Sequence, residues 1–292
     1  MTPYAAVDAI ERDTLIPSGP GDAFSGYGVI GLPFRSGHVL ALLLRASSLG
    51  PAYTSIWHRD PVDRWTFYST VAPDCSCARY FGAQVHRNVV TPINLEWTTP
   101  WTLRMHIGLE LTWQLTLHSS PMTRLFNTIA PLIPEHVWRM PAMLRGVGLG
   151  VDAAFGTGRM NLTGRTPNGH RFVMNPRQLW LIAASTAHVS GHNIGPPGPL
   201  EEQAALEDMR LPQRGLFAVT RVRLESNFTG LPAKLRGASA KRSRLAGLEV
   251  KNFDRAGMAS QREVPQNRSC CLEVPLTQPS LRASAPSGRP RP

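Results

Sequence analysis

The sequence predicts a mainly β fold: an antiparallel barrel or two-sheet sandwich of about ten strands with one helical insertion. Three observations predict it. From Thr91 to His118 apolar residues occupy the odd positions (Ile93, Leu95, Trp97, Trp101, Leu103 and on to Leu117), while polar residues such as Glu96, Arg104, Glu110, Gln114 and His118 hold the even ones. Period two over that length requires strands with one buried and one wet face. Shorter strand-like segments, separated by Gly, Pro, Asn and Asp clusters, recur on both sides of this run. Helical spacing over more than a single turn begins after Ser120.

Residues 1–25 read as an irregular lead-in, and the β domain as residues 26–228. Its first segments are Tyr27–Leu32, His38–Arg45 and Tyr53–His58, and the unbroken apolar run from Val39 to Leu44 implies burial on both faces. Trp65, Phe67 and Val71 alternate with polar residues in the next segment. In the long alternating run, His106-Ile107-Gly108 is expected to form a three-residue hairpin loop. That register sets Trp101 beside Trp113, Leu103 beside Leu111 and Arg104 beside Glu110.

Ser120 then supplies an N-cap and Pro121 a first helical residue. Met122, Leu125, Phe126 and Ile129 follow at helical spacing, and Val137, Met140, Leu144 and Val147 continue the pattern, so a helical insertion is predicted over 121–152. Strands resume at Arg159–Arg165 and Arg171–Asn175. Their connection is expected to turn at Pro167-Asn168-Gly169, which puts Met160, Leu162, Phe172 and Met174 on one face. Gln178–Thr186, a shorter segment near Ala187–Ser190, and Gly215–Glu225 complete the domain.

Charge does not point to nucleic acid. The net charge is +11, but residues 231–292 hold twelve Lys or Arg against four Asp or Glu, a surplus of eight, so the body carries only +3. That C-terminal stretch (229–292) is rich in Pro, Ser, Ala and Arg, has Phe253 as its only aromatic, and is expected to be disordered. The four cysteines have no zinc-site spacing. No apolar run is long enough for a membrane span, and no signal peptide is read at the start, so a cytoplasmic protein is expected. Asn161, Asn227 and Asn267 begin sequences of the glycosylation pattern, read as chance matches without a secretion signal.

Two clusters offer chemistry. His58 with Asp60, in Trp57-His58-Arg59-Asp60-Pro61, has the composition of an oriented base; the competing reading is a turn that Asp60 caps before Pro61. His188 and His192 are four apart but lack a third ligand, so no metal site is predicted. The strand tryptophans suggest an apolar pocket, or simply core.

The stretch Ile16-Pro17-Ser18-Gly19-Pro20-Gly21-Asp22, with Gly26-Tyr27-Gly28-Val29, Gly31-Leu32-Pro33-Phe34 and Thr163 to Gly169, resembles an uncharacterised family of bacterial proteins from high-GC genomes, over about residues 14–226. The resemblance implies no activity. The architecture is also similar to that of lipocalin-like carotenoid hydratases, with no catalytic residue transferred.

The functional expectation is a soluble binding protein for a hydrophobic small molecule, lipid or isoprenoid-like, in a pocket lined by Trp97, Trp101 and Trp113. Phe126, on a helix with an apolar underside, is expected to cover it as a lid or as an ordinary docked helix. The alternatives are an enzyme using His58 and Asp60 for proton transfer, or a scaffold for a partner. No cofactor is implied.

Overall fold

In the computed structural model, residues 1–13, 16 and 19–225 are described. The basic stretch 229–292, with Asn267, Cys270 and Cys271, and also Asn227, lies outside them.

Strands dominate. In chain order they are β1 (Asp22–Pro33), β2 (Val39–Ser47), β3 (Gly50–Arg59), β4 (Trp65–Ser69), β5 (Val85–Val90), β6 (Asn94–Thr99), β7 (Thr102–Ile107) and β8 (Leu111–His118). After the helical insertion come β9 (Thr163–Arg165), β10 (Arg171–Val189), β11 (His192–Asn193), β12 (Ala205–Leu206), β13 (Met209–Arg210) and β14 (Leu216–Glu225). The main sheet runs in the order β5-β4-β3-β2-β1-β14-β10-β8-β7-β6, and every pairing along it is antiparallel except β4 with β5. Three 3₁₀ turns between Pro73 and Gln84 carry the chain back to start β5 parallel to β4.

The sheet curls without closing. Its end strands β5 and β6 are joined by residues 91–93, and among the described residues no ladder links them. One face nevertheless gathers a single apolar cluster from both ends of the sheet: Leu40, Leu42, Ile56 and Tyr68 pack in the same cluster as Leu103, Met105, Trp113 and Leu115. The Tyr68 hydroxyl donates across this interior to Glu110, 3.2 Å away. Two further clusters cover the outer face, one over β2–β4 and one beneath the helical insertion. Burial on both faces of β2 follows: Val39 to Leu42 are all buried.

The N-terminal segment corrects the expected irregular lead-in. Residues Pro3–Arg12 form α1, with Thr2 as N-cap (its side chain accepts from Ala5 N at 3.2 Å) and Pro3 at the first helical position. The helix places Ala6 and Val7 in the interior cluster. Tyr4 meets Trp97 edge-on at 5.9 Å, and Glu11 accepts from the Tyr27 hydroxyl.

The β7–β8 hairpin has the expected face and a different register. Its loop is Gly108-Leu109-Glu110, so Ile107 pairs with Leu111, Met105 with Trp113 and Leu103 with Leu115. Trp101 is therefore not beside Trp113; its carbonyl accepts from Leu117 N at 2.7 Å. Arg104 donates through Nε and Nη2 to Gln114 rather than meeting Glu110. Moving the loop by two residues, and so each partner by four, preserves which side chains are buried, so alternation alone cannot choose between the registers. The observed one gives Gly108 its φ of +44° at the first loop position, leaves Leu109 outside, and frees Glu110 for Tyr68.

The second hairpin matches expectation: Thr166 N donates to His170 O and Gly169 N to Thr166 O, both at 2.8 Å, with Gly169 at φ +80°. The segments expected around Pro176 form one strand, β10, which pairs with β14 over 171–181 and with β8 over 181–189. Pro176 sits at a register shift, where a strand tolerates the missing N–H.

Candidate functional site

The helical insertion comprises α2 (Pro121–Ile129), α3 (Glu135–Trp138) and α4 (Pro141–Phe155). It packs over β10 and β14 on the outer face, burying Trp138, Leu144, Val151 and Phe155 in the third cluster. The expected pocket between interior tryptophans and this insertion is therefore not assembled. Trp113 is fully buried and donates from Nε1 to Ser185 Oγ at 2.9 Å. Trp97 lies between Tyr4 and Phe217, and Trp101 is half-buried against the same interior cluster. Phe126 packs in a different cluster, across the sheet from all three.

An apolar cleft lies instead on the outer face of β1, β2, β10 and β14. Its atom-free space, the open mouth included, is about 640 Å³, little of it wider than a water molecule. Its floor is bare where β1 presents Gly28, and its walls are Tyr53, Trp57, Phe81, Phe172 and Met209. Trp57 stacks flat on Phe67, ring centres 4.1 Å apart, and its Nε1 donates to Ser55 Oγ at 3.1 Å.

One charge enters this apolar cleft. Arg45 is 6% exposed and is the one charged residue among the nineteen that line the cleft. Its Nη1 donates to the carbonyl of Thr220 at 3.1 Å and to the Thr220 hydroxyl. No acidic side chain pairs with it among the described residues. Burial lowers the guanidinium pKa, yet arginine keeps its proton in proteins. The neighbouring groups are neutral: burial pushes the Tyr53 phenol and the Cys77 thiol up. Taking an ion out of water without a counter-ion costs several kcal/mol, so this is an expensive residue to place here.

His58 and Asp60 do not form a dyad. His58 is buried, and its Nε2 is 2.9 Å from Nδ1 of His38, with the two rings stacked. Burial first, and His38 second, push the His58 pKa down to about 4, so both imidazoles of the pair stay neutral near pH 7. Asp60 caps the turn after β3: Oδ1 accepts from Val62 N at 3.0 Å and Arg64 N at 2.9 Å, and Oδ2 from Arg64 Nε. His188 and His192 stand near the β10–β11 turn, and the described residues contain no group of three or more His, Cys, Asp or Glu able to hold a metal. Cys75 and Cys77 are both buried. Among the described residues no helix is long and apolar enough to cross a membrane.

Comparison with protein-family models, with curated proteins and with solved structures finds no match to the chain. The reading of the site therefore rests on its own residues. Two of its signals stand in the sequence: an apolar, doubly buried run that ends in arginine (Val39 to Arg45), and glycines at alternate positions of a strand (Gly26 and Gly28), which mark close backbone approach.

Proposed function

We propose that this protein binds a slim apolar molecule bearing an acidic group, of the fatty-acid class, in the outer cleft, with Arg45 as the charge partner of the acid. The expected ligand class is kept and its seat moves from the interior tryptophans to the opposite face of the sheet. One observation carries the reading: a buried guanidinium at the floor of an apolar cleft, with the two oxygens of Thr220 as its hydrogen-bond partners among the described residues. A carboxylate arriving with an alkyl chain supplies both missing terms, a counter-ion for Arg45 and apolar contact for Trp57, Phe81 and Phe172. The narrow free space favours an unbranched chain over a fused-ring ligand.

The test is titration of the full chain with palmitate, followed by native mass spectrometry and by tryptophan fluorescence, in the wild type and in Arg45→Met. Saturable binding of one palmitate, weakened about tenfold or more by Arg45→Met, is the expected result, since one charge-assisted pair in a dry site contributes about 1.5–3 kcal/mol. No binding by the wild type, or equal binding by the folded variant, overturns the reading.

A further inference from the structure

Helix α2 is built inside out. Its residues at the sheet are small or polar: Thr123 is buried, as is Ala130 just past its end, and Asn127 is pinned to β10, donating from Nδ2 to Leu179 O at 3.0 Å and accepting at Oδ1 from Leu179 N at 2.7 Å. The apolar stripe Met122, Leu125 and Ile129 points to solvent, and Leu132 extends it into the following 3₁₀ turn. Phe126 alone of the expected underside is partly buried. The expectation of a lid or docked helix with an apolar underside is thus reversed for this stripe. Of the eleven large hydrophobic side chains exposed among the described residues, six belong to the insertion, the other two being Met140 and Leu149. Singly exposed apolar residues are ordinary; a stripe at positions i, i+3, i+7 and i+10 is a surface.

Charge says what covers it. Arg124, Arg139 and Arg145 are exposed in the same insertion and form no ion pair among the described residues. The insertion holds two carboxylates, neither fully exposed, and one of them, Glu135, is engaged by Arg221 and Arg177. The exposed charge of the insertion is therefore basic. An anionic lipid surface accepts both features, the aliphatic stripe at the acyl boundary and the arginines among the headgroups.

We infer that the insertion is a peripheral membrane-docking element, with Met122, Leu125, Ile129 and Leu132 entering the interface of an anionic bilayer. The inference is independent of the cleft. Its test is flotation of the full chain with vesicles of phosphatidylcholine containing phosphatidylglycerol, and with phosphatidylcholine alone, for the wild type and for the double variant Leu125→Glu/Ile129→Glu. Both substituted side chains already face water, so the fold is retained, and a circular-dichroism melt checks it.

The expected result is binding of the wild type to the anionic vesicles, reduced by salt, with a partition coefficient about tenfold or more lower for the double variant, from two lost apolar side chains and two added charges. The basic residues of 231–292 are present in both proteins. Equal binding by the double variant therefore assigns any vesicle affinity to that stretch and overturns the inference. Absence of wild-type binding overturns it too, as does a wild-type dimer that the double variant converts to monomer, which makes the stripe a protein interface.

Discussion

Arg45 reaches Thr220 across a strand that neither belongs to. Arg45 lies on β2 and Thr220 on β14, and the residue paired with both is Gly26 of β1. The guanidinium thus passes over a position without a side chain to donate to the Thr220 carbonyl at 3.1 Å. A Cβ at Gly26 stands 1.9 Å from the carbonyl oxygen of Leu44, the residue before Arg45, so the glycine also allows the two strands their approach. Two of this row, Arg45 and Thr220, line the outer cleft.

Gly26→Ala is expected to destabilise the fold by about 2–4 kcal/mol, because the atom it meets is backbone and cannot swing aside. Urea denaturation with an unchanged slope and a lower midpoint is the measurement. A midpoint equal to that of the wild type contradicts the strand geometry.

Arg45→Met has a different signature. Replacing a buried charge that has no acidic partner by an apolar side chain of similar length is expected to leave stability unchanged or raise it by about 1–2 kcal/mol. A residue retained for stability shows the reverse, so a marked loss of midpoint in Arg45→Met argues for a structural role instead of a binding one. Thr220→Val removes the hydroxyl acceptor and leaves the carbonyl, with an expected cost of about 1–2 kcal/mol.

The two hydrogen bonds of Asn127 fasten α2 to β10. Asn127→Ala strands the backbone N–H and carbonyl of Leu179, with an expected loss of about 2 kcal/mol. Hydrogen exchange reads it directly: amides of residues 122–129 and of Leu179 lose protection, while those of β7 and β8 keep theirs.

Acid sensitivity follows from His58. Its folded pKa is about 4, below the ordinary histidine value of 6.5, so the unfolded chain binds the proton more readily. Stability is full above about pH 6.5 and falls as pH drops from there towards 4, by a total on the order of 3 kcal/mol for this group. His58→Gln is expected to flatten the stability profile across that window. A profile for His58→Gln with the wild-type slope between pH 6.5 and 4 contradicts the assignment.

Much of the fold was legible in the chain itself. Alternation through Leu103, Met105, Trp113 and Leu115 determines which side chains are buried, because period two ties every other residue to one face whatever the strand pairs with. Burial of β2 on both faces, the cap at Ser120 and the turn at Pro167-Asn168-Gly169 are likewise local matters of hydrophobic run, hydroxyl and φ, and the structure has all of them. Tertiary structure alone decided the rest. Registers whose partners differ by four residues bury the same side chains, so the pairing of Trp113 with Met105 depends on where Glu110 finds Tyr68. The apolar stripe of α2 has the same spacing whether it faces the sheet or solvent, and the side chain of Asn127 on Leu179 sets its orientation. The cleft joins Arg45 to Thr220, 175 residues away, over a glycine between them. No local pattern encodes that meeting, because it exists only once β14 has paired with β1.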